Sequence, residues 1–252
     1  MIGRKIIYKD TLDSTNNYVA NLINRNEIEH GTVILAGNQT LGKGQRGAVW
    51  DSEPYKNISL SVFLKHVNLS LKHNFYLTQA ISLALVDFFK EFDPNFKIKW
   101  PNDILYNNSK IAGILIETQL EKAKFDDLQI KSSIVGIGIN VNQEQFGTYN
   151  ATSLKLITGN EFQVQELIFK LCEKLNERIN LLENFLFEQI KTDYLENLWL
   201  FQKESTYQVS DTSFKGKIVG IDEIGRLLVE NLDSKEVNAY QNKEIIFLER
   251  GN

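Results

Sequence analysis

Apolar residues recur at two different spacings along this chain, and the spacing changes several times before residue 140. Short alternating or continuous apolar runs predict strands at 5–8, 32–36, 57–63, 98–100, 104–106, 111–118 and 130–140. Helical spacing follows Ser14 and Thr15, which can cap a helix, and it recurs over residues 75–92. The interleaving of these segments predicts an α+β fold in which helices flank a mixed, largely antiparallel sheet.

The last third of the chain changes from helical to strand-like periodicity. From Val164 onward, apolar residues recur every three or four positions, which predicts a long helix that breaks before Tyr194. Short strands separated by glycines then follow, with a hairpin turn expected at 222–225. This density of short strands predicts a small β-barrel, so we expect two domains, at 1–203 and 204–252.

Composition excludes several classes of protein. The 252 residues include 28 basic and 32 acidic side chains, for a net charge of -4, so nucleic acid is not expected as the main partner. Cys172 is the single cysteine and the three histidines are scattered, which excludes a disulfide framework and a Cys/His metal site. No apolar run approaches the roughly 20 residues of a membrane span, and the amino terminus does not resemble a secretory signal. We therefore expect a cytoplasmic protein with no membrane partner, in which any functional positive charge is local.

A glycine-rich loop at 42–47, with the sequence Gly-Lys-Gly-Gln-Arg-Gly, has no local hydrophobic reason to exist. A phosphate-binding P-loop is not supported, because Gly44 stands where Ser or Thr must hold magnesium, and residues 48–54 cannot open the long helix of a dinucleotide-binding fold. Glycines let the backbone approach a ligand closely, and Lys43 and Arg46 add two positive charges, so an anion is the expected ligand. The alternative is a surface turn whose basic residues are incidental.

Two further segments combine charged and amide side chains with strand ends. Lys-Trp-Pro-Asn-Asp at 99–103 places an amide beside a carboxylate, where they can orient a metal ion or an amine, although an ordinary Asx turn explains the same pattern. Lys110 begins an apolar strand in which Gly113 suggests close approach of a ligand, while a solvated lysine is the simpler alternative. A predicted turn at 107–108 would bring the two segments together in a hairpin. Glycines and amides recur at 136–142, a pattern that tight strand packing would also explain.

Taken together and in this order, these segments resemble the biotin protein ligase family, in the short form without an amino-terminal DNA-binding domain. The family's Lys-Trp-Pro-Asn-Asp motif is present unchanged at 99–103, its Lys-Ile-Ala-Gly-Ile-Leu motif is present at 110–115, and its glycine loop resembles 42–47. Ser-Thr-Asn at 14–16 is similar to the family's biotin-contacting step. The resemblance covers residues 1–200 well and implies a ligase core like that of class II aminoacyl-tRNA synthetases, followed by a small Src-homology-3-like barrel.

The resemblance implies an enzyme that joins the carboxylate of biotin to the α-phosphate of ATP and releases pyrophosphate. It then passes biotin from biotinyl-5'-AMP to a lysine of a biotin carboxyl carrier protein, such as that of acetyl-CoA carboxylase. ATP and biotin are the implied substrates and Mg²⁺ the implied metal ion. Because the reacting carboxylate and phosphate repel each other, fixed cations in the site are expected to stabilise the transition state.

The resemblance also implies roles for individual residues. The implied catalytic residues are Lys110, Lys43, Arg46 and Asp103. The implied biotin-binding residues are Ser14, Thr15, Gln39, Gly42, Lys43, Lys110 and Gly113. The implied adenylate-binding residues are Gly44, Gln45, Arg46, Gly47, Trp50, Asn102 and Asn140. Asp103 would either orient the attacking lysine or bind Mg²⁺, and the sequence does not choose between these roles.

Two features depart from the family's pattern. Gln45 stands where many relatives have an arginine and Lys43 replaces another arginine, so this loop carries less charge and less two-pronged hydrogen bonding. Thirteen residues precede Ser14, too few for the helix-turn-helix repressor domain that some relatives carry, so no DNA partner is expected. An exposed strand edge would support a homodimer.

Two other functions compete with this one. A lipoate or octanoate protein ligase shares the core, but Ser14, Thr15 and Gln39 suit the polar ureido head of biotin, which lipoate lacks. A non-catalytic adaptor that binds a protein through its terminal barrel would leave the cations of the glycine loop without a task. The sequence therefore favours a biotin protein ligase.

Overall fold

The fold is built on a seven-stranded sheet, in a computed structural model that describes residues 1–122 and 128–248 apart from the side chains of Arg46, Val67 and Asn68. The strands are β1 (Ile6–Leu12), β2 (Val33–Gln39), β3 (Ile58–Ser70), β4 (Phe96–Lys99), β5 (Asp103–Tyr106), β6 (Ser109–Lys122) and β7 (Leu128–Ile139). Their spatial order is β1-β2-β3-β7-β6-β5-β4. β1 and β2 pair in parallel and the other neighbours pair antiparallel, so the predicted mixed, largely antiparallel sheet is confirmed.

Helices cover both faces of this sheet. They are α1 (Thr15–Asn24), α2 (Asn74–Phe89), α3 (Leu154–Thr158), α4 (Val164–Glu183) and α5 (Phe187–Asn197). α2 is buried on nearly every side, because it lies between β4 to β6 and the helices α4 and α5. Since successive side chains of a strand point to opposite faces, Val33 and Leu35 join the core around α2, whereas Ile34 packs with Val19 of α1. The predicted flanking of the sheet by helices is confirmed.

The helical segment from Val164 breaks into two helices before Tyr194. α4 stops at Glu183, Phe185 has a left-handed φ of 58°, and α5 then carries Tyr194 in its interior. The predicted break before Tyr194 is therefore confirmed, and it lies between Glu183 and Phe187. Tyr194 is fully buried and its hydroxyl donates a hydrogen bond to the carbonyl of Pro101 at 3.1 Å, so this tertiary contact holds α5 against the connection between β4 and β5.

The carboxy-terminal part of the chain forms a second sheet with five antiparallel strands. These are β8 (Glu204–Val209), β9 (Thr212–Ile221), β10 (Leu227–Asn231), β11 (Val237–Tyr240) and β12 (Ile246–Phe247), in the order β11-β10-β9-β8-β12. The predicted turn at 222–225 joins β9 to β10 and is closed by a bond from the Gly225 amide to the carbonyl of Asp222. The indole N–H of Trp100 donates to the carbonyl of Gly225 at 2.9 Å, which fixes this sheet against the first one.

None of the described helices has the length and apolarity needed to cross a bilayer. Cys172 lies on α4 with 5% of its surface exposed, and burial raises the pKa of its thiol to about 11. Its contribution is therefore the packing of a small apolar side chain, as the sequence suggests.

His66 on β3 is expected to make stability depend on pH. One ring nitrogen lies 3.0 Å from the hydroxyl of Ser133, and burial, with a smaller contribution from His30, lowers the pKa of His66 to about 4. Between about pH 6.5 and pH 4, His66 is protonated in the unfolded chain but neutral in the folded chain. The free energy of unfolding therefore falls as the pH drops through this range. We expect the free energy of unfolding to be lower at pH 5 than at pH 7 by about 2 kcal/mol from this residue.

Urea unfolding of the unaltered chain and of the His66→Asn variant at these two pH values measures this contribution. The variant should lose that part of the pH dependence, because asparagine does not titrate. An equal loss of stability in both proteins on acidification would show that other groups are responsible.

Candidate active site

A cavity of about 540 Å³ lies over β6 and β7, next to the glycine loop and the end of the second sheet. Its size is typical of small-molecule sites. The structure brings most of the implied site residues to its walls: Ser14, Thr15, Gln39, Lys43, Gly44, Gln45, Trp50, Asn102, Asp103, Lys110 and Gly113. Segments separated by up to about a hundred positions in the sequence therefore meet around one space.

The described walls of this cavity are strongly positive, although the whole chain has a net charge of -4. Four lysines line it, at positions 43, 99, 110 and 243, and Asp103 is the one carboxylate among the described lining residues. Clefts with charge of one sign attract ligands of the opposite sign. The cavity is therefore suited to an anion, as the glycine loop alone suggests.

Lys110 and Asp103 form an ion pair across the β5–β6 hairpin. The ammonium lies 2.7 Å from a carboxylate oxygen of Asp103, and 5.6 Å from the centre of the Trp50 ring. The two side chains are 36% and 27% exposed, so solvent screens their attraction and the pair adds little to stability. The main effect of this ion pair is to hold a cation and a carboxylate together at the cavity wall.

The indole of Trp50 packs closely over two strand glycines. Gly113 and Gly138 face each other in register on β6 and β7. A Cβ atom added to Gly138 would lie 2.3 Å from Trp50 Cε2, and one added to Gly113 would lie 3.3 Å from Trp50 Cζ3. The expected close approach at Gly113 is thus made by protein side chains, those of Trp50 and Lys110.

The same indole offers an unused hydrogen-bond donor. The Nε1 atom of Trp50 is buried and has no hydrogen-bond partner among the described residues. Because buried donors in folded proteins are nearly always paired, this atom indicates a place where a ligand acceptor fits.

Polar side chains from α1, β2 and β3 form a connected network at another wall. The backbone amide and the hydroxyl of Thr15 both donate to the side-chain oxygen of Gln39, at 2.8 and 3.1 Å. Ser61 donates to the hydroxyl of Thr15 at 2.7 Å. The side-chain nitrogen of Gln39 makes no hydrogen bond to a described residue and is available to a ligand acceptor.

Ser14 occupies the N-cap position of α1 without capping it. Its φ and ψ of -156° and 137° are those of an N-cap, but its hydroxyl makes no hydrogen bond to the helix amides. Ser14 is 2% exposed and lines the cavity. The Ser14 hydroxyl, which the sequence predicts to cap α1, therefore does not cap the helix and is available to a ligand in the cavity.

The glycine loop closes on itself through its backbone. Trp50 donates to the carbonyl of Gly42 at 3.0 Å, and Gly44 donates to Ala48 at 2.7 Å. A Cβ atom on Gly42 would lie 2.3 Å from the Trp50 carbonyl oxygen, and Gly47 has a φ of 81°. These two glycines do not line the cavity, and each meets a backbone requirement of the loop. The side chain of Arg46 lies outside the described residues.

Lys43 is held at the amino-terminal end of α1. Its ammonium donates to the side-chain oxygen of Asn17 at 2.5 Å, and Asn17 in turn donates to Asp13 at 2.6 Å. These contacts, first the hydrogen bond from Asn17 and last the charge of Lys43, hold the pKa of the Asp13 carboxyl below its usual value. The loop cation is thereby linked to the helix that carries Ser14 and Thr15.

Two implied amide residues have structural contacts of their own. Asn102 lines the cavity, but its side chain donates to the carbonyl of Ile114 at 2.5 Å, which continues the contact between the β5 and β6 segments beyond the Asp103–Gly113 pair. Asn140 is 4% exposed, donates to the carbonyl of Thr152 at 3.0 Å, and is not among the described cavity residues. The structure therefore does not bring Asn140 to the other site residues.

A metal ion has few protein ligands here. No group of three or more His, Cys, Asp or Glu side chains in the described parts of the chain is arranged to hold one. Among the described lining residues, Asp103 alone supplies a carboxylate to the cavity, and it is already paired with Lys110. Mg²⁺ commonly uses one or two carboxylates together with substrate phosphates and water, so this donor set fits an ion that arrives with a nucleotide.

Several lining residues were given no functional role in the sequence analysis. Lys99 is one of them, although it lies within the 99–103 motif, and its ammonium is 5.8 and 5.6 Å from the ring centres of Trp199 and Phe247. Gly138 lies in the glycine and amide segment at 136–142. Asn242 and Lys243 belong to the second sheet, and no local pattern could have linked them to the cavity.

Comparison with known proteins points to one family. The model of the biotin/lipoate A/B protein ligase family matches residues 8–140. The bifunctional ligase/repressor BirA of Bacillus subtilis (strain 168) is 32% identical over 236 residues, which cover 91% of this chain and 70% of that protein. The biotin–[acetyl-CoA-carboxylase] ligase of Mycobacterium tuberculosis is 31% identical over 117 residues, 45% of this chain and 40% of the relative. The structure of biotin protein ligase from Aquifex aeolicus in complex with biotin and ATP has a TM-score of 0.74 and 25% identity, with 96% of this chain and 98% of that chain covered.

Proposed function

Because this chain belongs to the biotin/lipoate A/B protein ligase family, we propose that it activates biotin with ATP and transfers it to a lysine of a biotin carboxyl carrier protein. The chain is a biotin protein ligase, similar over 96% of its length to the enzyme of that name from Aquifex aeolicus. The observation that carries the proposal is the cavity in which the Lys110–Asp103 pair lies beside Trp50, surrounded by further lysines.

The first step joins two anions. A carboxylate oxygen of biotin attacks the α-phosphorus of ATP, the bond from that phosphorus to the bridging oxygen breaks, and pyrophosphate leaves. Lys110 and Lys43 bring positive charge to the cavity where these groups meet, and such charge stabilises the transition state because it is in place before the reaction. The product is biotinyl-5'-AMP.

The second step transfers the biotinyl group. The amine of the carrier lysine attacks the acyl carbon, the bond to the phosphate oxygen breaks, and AMP leaves. We assign to Asp103 the orientation of the incoming ammonium and the acceptance of its proton, because it is the carboxylate of the described cavity wall. In the first step the same carboxylate would be a ligand of a Mg²⁺ ion that enters with ATP.

The cavity wall formed by Ser14 and by the hydrogen-bonded side chains of Thr15 and Gln39 is suited to the ureido head of biotin. The Gln39 side-chain nitrogen and the Ser14 hydroxyl are unused by described partners, so they match a ring that carries both hydrogen-bond donors and an acceptor. The glycine face of β6 and the indole of Trp50 would line the apolar part of the ligand.

The adenylate half is assigned to the glycine loop and its neighbours. Gly44, Gln45 and Trp50 line the cavity, and Asn102 lies beside them. Arg46, whose side chain lies outside the described residues, is proposed to bind the phosphate on the basis of its position in the loop sequence. Gly42, Gly47 and Asn140 do not line the cavity, and we assign them a supporting role. Gly42 accepts a backbone hydrogen bond within the loop, and Gly47 has a left-handed backbone conformation. Asn140 donates to a backbone carbonyl.

The finer organisation of the molecule is also a proposal. The second sheet begins at Glu204, which supports a division into a ligase domain at 1–203 and a small Src-homology-3-like barrel at 204–252. The last four residues of that span lie outside the described residues. The edge strand β1 leaves Tyr8 49% exposed, which supports a homodimer formed along this edge. A cytoplasmic location is consistent with both substrates.

Incubation with ATP, Mg²⁺ and labelled biotin tests the function directly. Without a carrier domain we expect labelled biotinyl adenylate and pyrophosphate, and with a biotin carboxyl carrier domain we expect label on one lysine of the carrier. Lipoate and octanoate are the matched alternatives, because the family includes lipoate ligases. Faster adenylate formation with either acid would identify a lipoate-type ligase, and the absence of pyrophosphate release with all three would favour the adaptor.

A further inference from the structure

We propose that Lys243 binds the terminal phosphates of ATP and the departing pyrophosphate, and so supplies charge that the glycine loop lacks at Gln45. This inference rests on the proposed adenylation reaction. It assigns to the second sheet a wall of the nucleotide site that the sequence motifs do not include.

Lys243 lies in the turn at 241–245, between β11 and β12, and lines the cavity. Its φ of 76° is in the left-handed region, which residues with a side chain seldom adopt. The next residue but one, Ile245, is 4% exposed and anchors the turn in the core. The buried Ile245 therefore holds the turn in place, with Lys243 on the cavity wall.

Among the four lysines of the cavity wall, Lys243 is distinguished by its lack of a protein partner. Lys43 donates to Asn17, Lys99 lies over two aromatic rings, and Lys110 pairs with Asp103. Lys243 makes no hydrogen bond or ion pair to any residue that the structure describes. Its charge is thus available to a ligand without first breaking an internal contact.

Asn242 places this turn against the glycine loop. Its side-chain nitrogen donates to the side-chain oxygen of Gln45 at 2.9 Å, across 197 positions of the chain. The uncharged Gln45 therefore serves as an acceptor that fixes the turn, and the neighbouring Lys243 brings a cation to the same place. Lys243, in the turn between β11 and β12, thus supplies a positive charge next to the uncharged Gln45 of the glycine loop.

The terminal phosphates are the part of ATP that fits this position. Lys110 lies against the glycine face of β6 and Trp50, where the two reacting groups are proposed to meet. Lys243 is exposed at the rim, and the pyrophosphate must depart toward solvent. A cation at the exit can bind the phosphates both before and after the α-phosphate bond breaks. Because exposed charges are screened, we expect a moderate effect.

The Lys243→Ala variant tests this assignment, with Lys235→Ala as its matched control. Lys235 is also exposed, also has a left-handed φ, of 64°, and lies in the turn between β10 and β11 of the same sheet, and it is not among the described cavity residues. In biotin-dependent pyrophosphate release, we expect Lys243→Ala to raise the KM for ATP about tenfold and to weaken inhibition by pyrophosphate by a similar factor. Binding of biotin in the absence of ATP should be unchanged, and Lys243→Arg should retain most of the ATP affinity.

Thermal unfolding of each variant shows whether the turn remains folded. An ATP KM for Lys243→Ala within about twofold of the Lys235→Ala value would overturn the assignment. Weaker ATP binding with undiminished pyrophosphate inhibition would overturn the part that concerns the terminal phosphates. If the unaltered chain releases no pyrophosphate with biotin, the proposed function itself fails, and this outcome is distinct from an active enzyme that is insensitive to Lys243.

Discussion

Replacing Lys110 with alanine is expected to lower the rate of biotinyl adenylate formation by about a hundredfold while the chain stays folded. The side chain is 36% exposed and its ion pair with Asp103 is screened, so its removal costs little stability. In the reaction, however, its positive charge is close to where a carboxylate and a phosphate must meet. Loss of one fixed charge or donor at such a place typically costs about 3 kcal/mol of transition-state stabilisation.

Single-turnover pyrophosphate release, with ATP and biotin both saturating, measures this effect. The matched control is Lys56→Ala, because Lys56 also pairs with a carboxylate, that of Glu53 at 2.8 Å, but is not among the described cavity residues. We expect the control to react like the unaltered chain. Unimpaired release of pyrophosphate by the Lys110→Ala variant would remove Lys110 from the mechanism.

Replacing Gly138 with alanine is expected to weaken biotin binding by roughly ten- to a hundredfold. The added methyl group would lie 2.3 Å from Trp50 Cε2 and 2.6 Å from Trp50 Cζ2, far inside van der Waals contact. The strand cannot yield, because β7 is paired on both sides with β3 and β6. The indole must therefore move into the cavity, at a cost of about 1–3 kcal/mol.

Calorimetric titration with biotin measures this effect, and Gly220→Ala is the matched control. Gly220 also lies inside a strand, but a Cβ atom there would meet Leu228 Cδ1 at 3.6 Å, an ordinary contact. In the Trp50→Ala background the Gly138→Ala change should no longer lower the thermal stability. Normal biotin affinity in the single Gly138→Ala variant would show that the position of the indole is not important for the ligand.

Local periodicity was sufficient for most of the ligase core because each element can be recognised from a few neighbouring residues. Alternation predicts the central strands, and the broad apolar face of 75–92 predicts α2, which the structure gives as Asn74–Phe89. Local periodicity predicted the lengths of the strands less well than their positions. β3 continues to Ser70, well past the predicted end at residue 63, because β7 pairs with it as far as Gln129. That pairing joins residues far apart in the sequence.

The sequence by itself determined that the segments carrying Asp103 and Lys110 meet, because a short hairpin must bring them together, and the order of its motifs identified the family. The ion pair between the two side chains is a finding of the structure. Tertiary structure alone decided what surrounds that pair. The packing of Trp50 on Gly138 and the bond from Asn242 to Gln45 join segments about 90 and 197 positions apart. Such contacts depend on how strands pair and sheets dock, and no local pattern records them. The net charge of the chain showed only that any functional positive charge must be local. The fold places Lys243, from the far end of the chain, on the same cavity wall as the lysines of the sequence motifs.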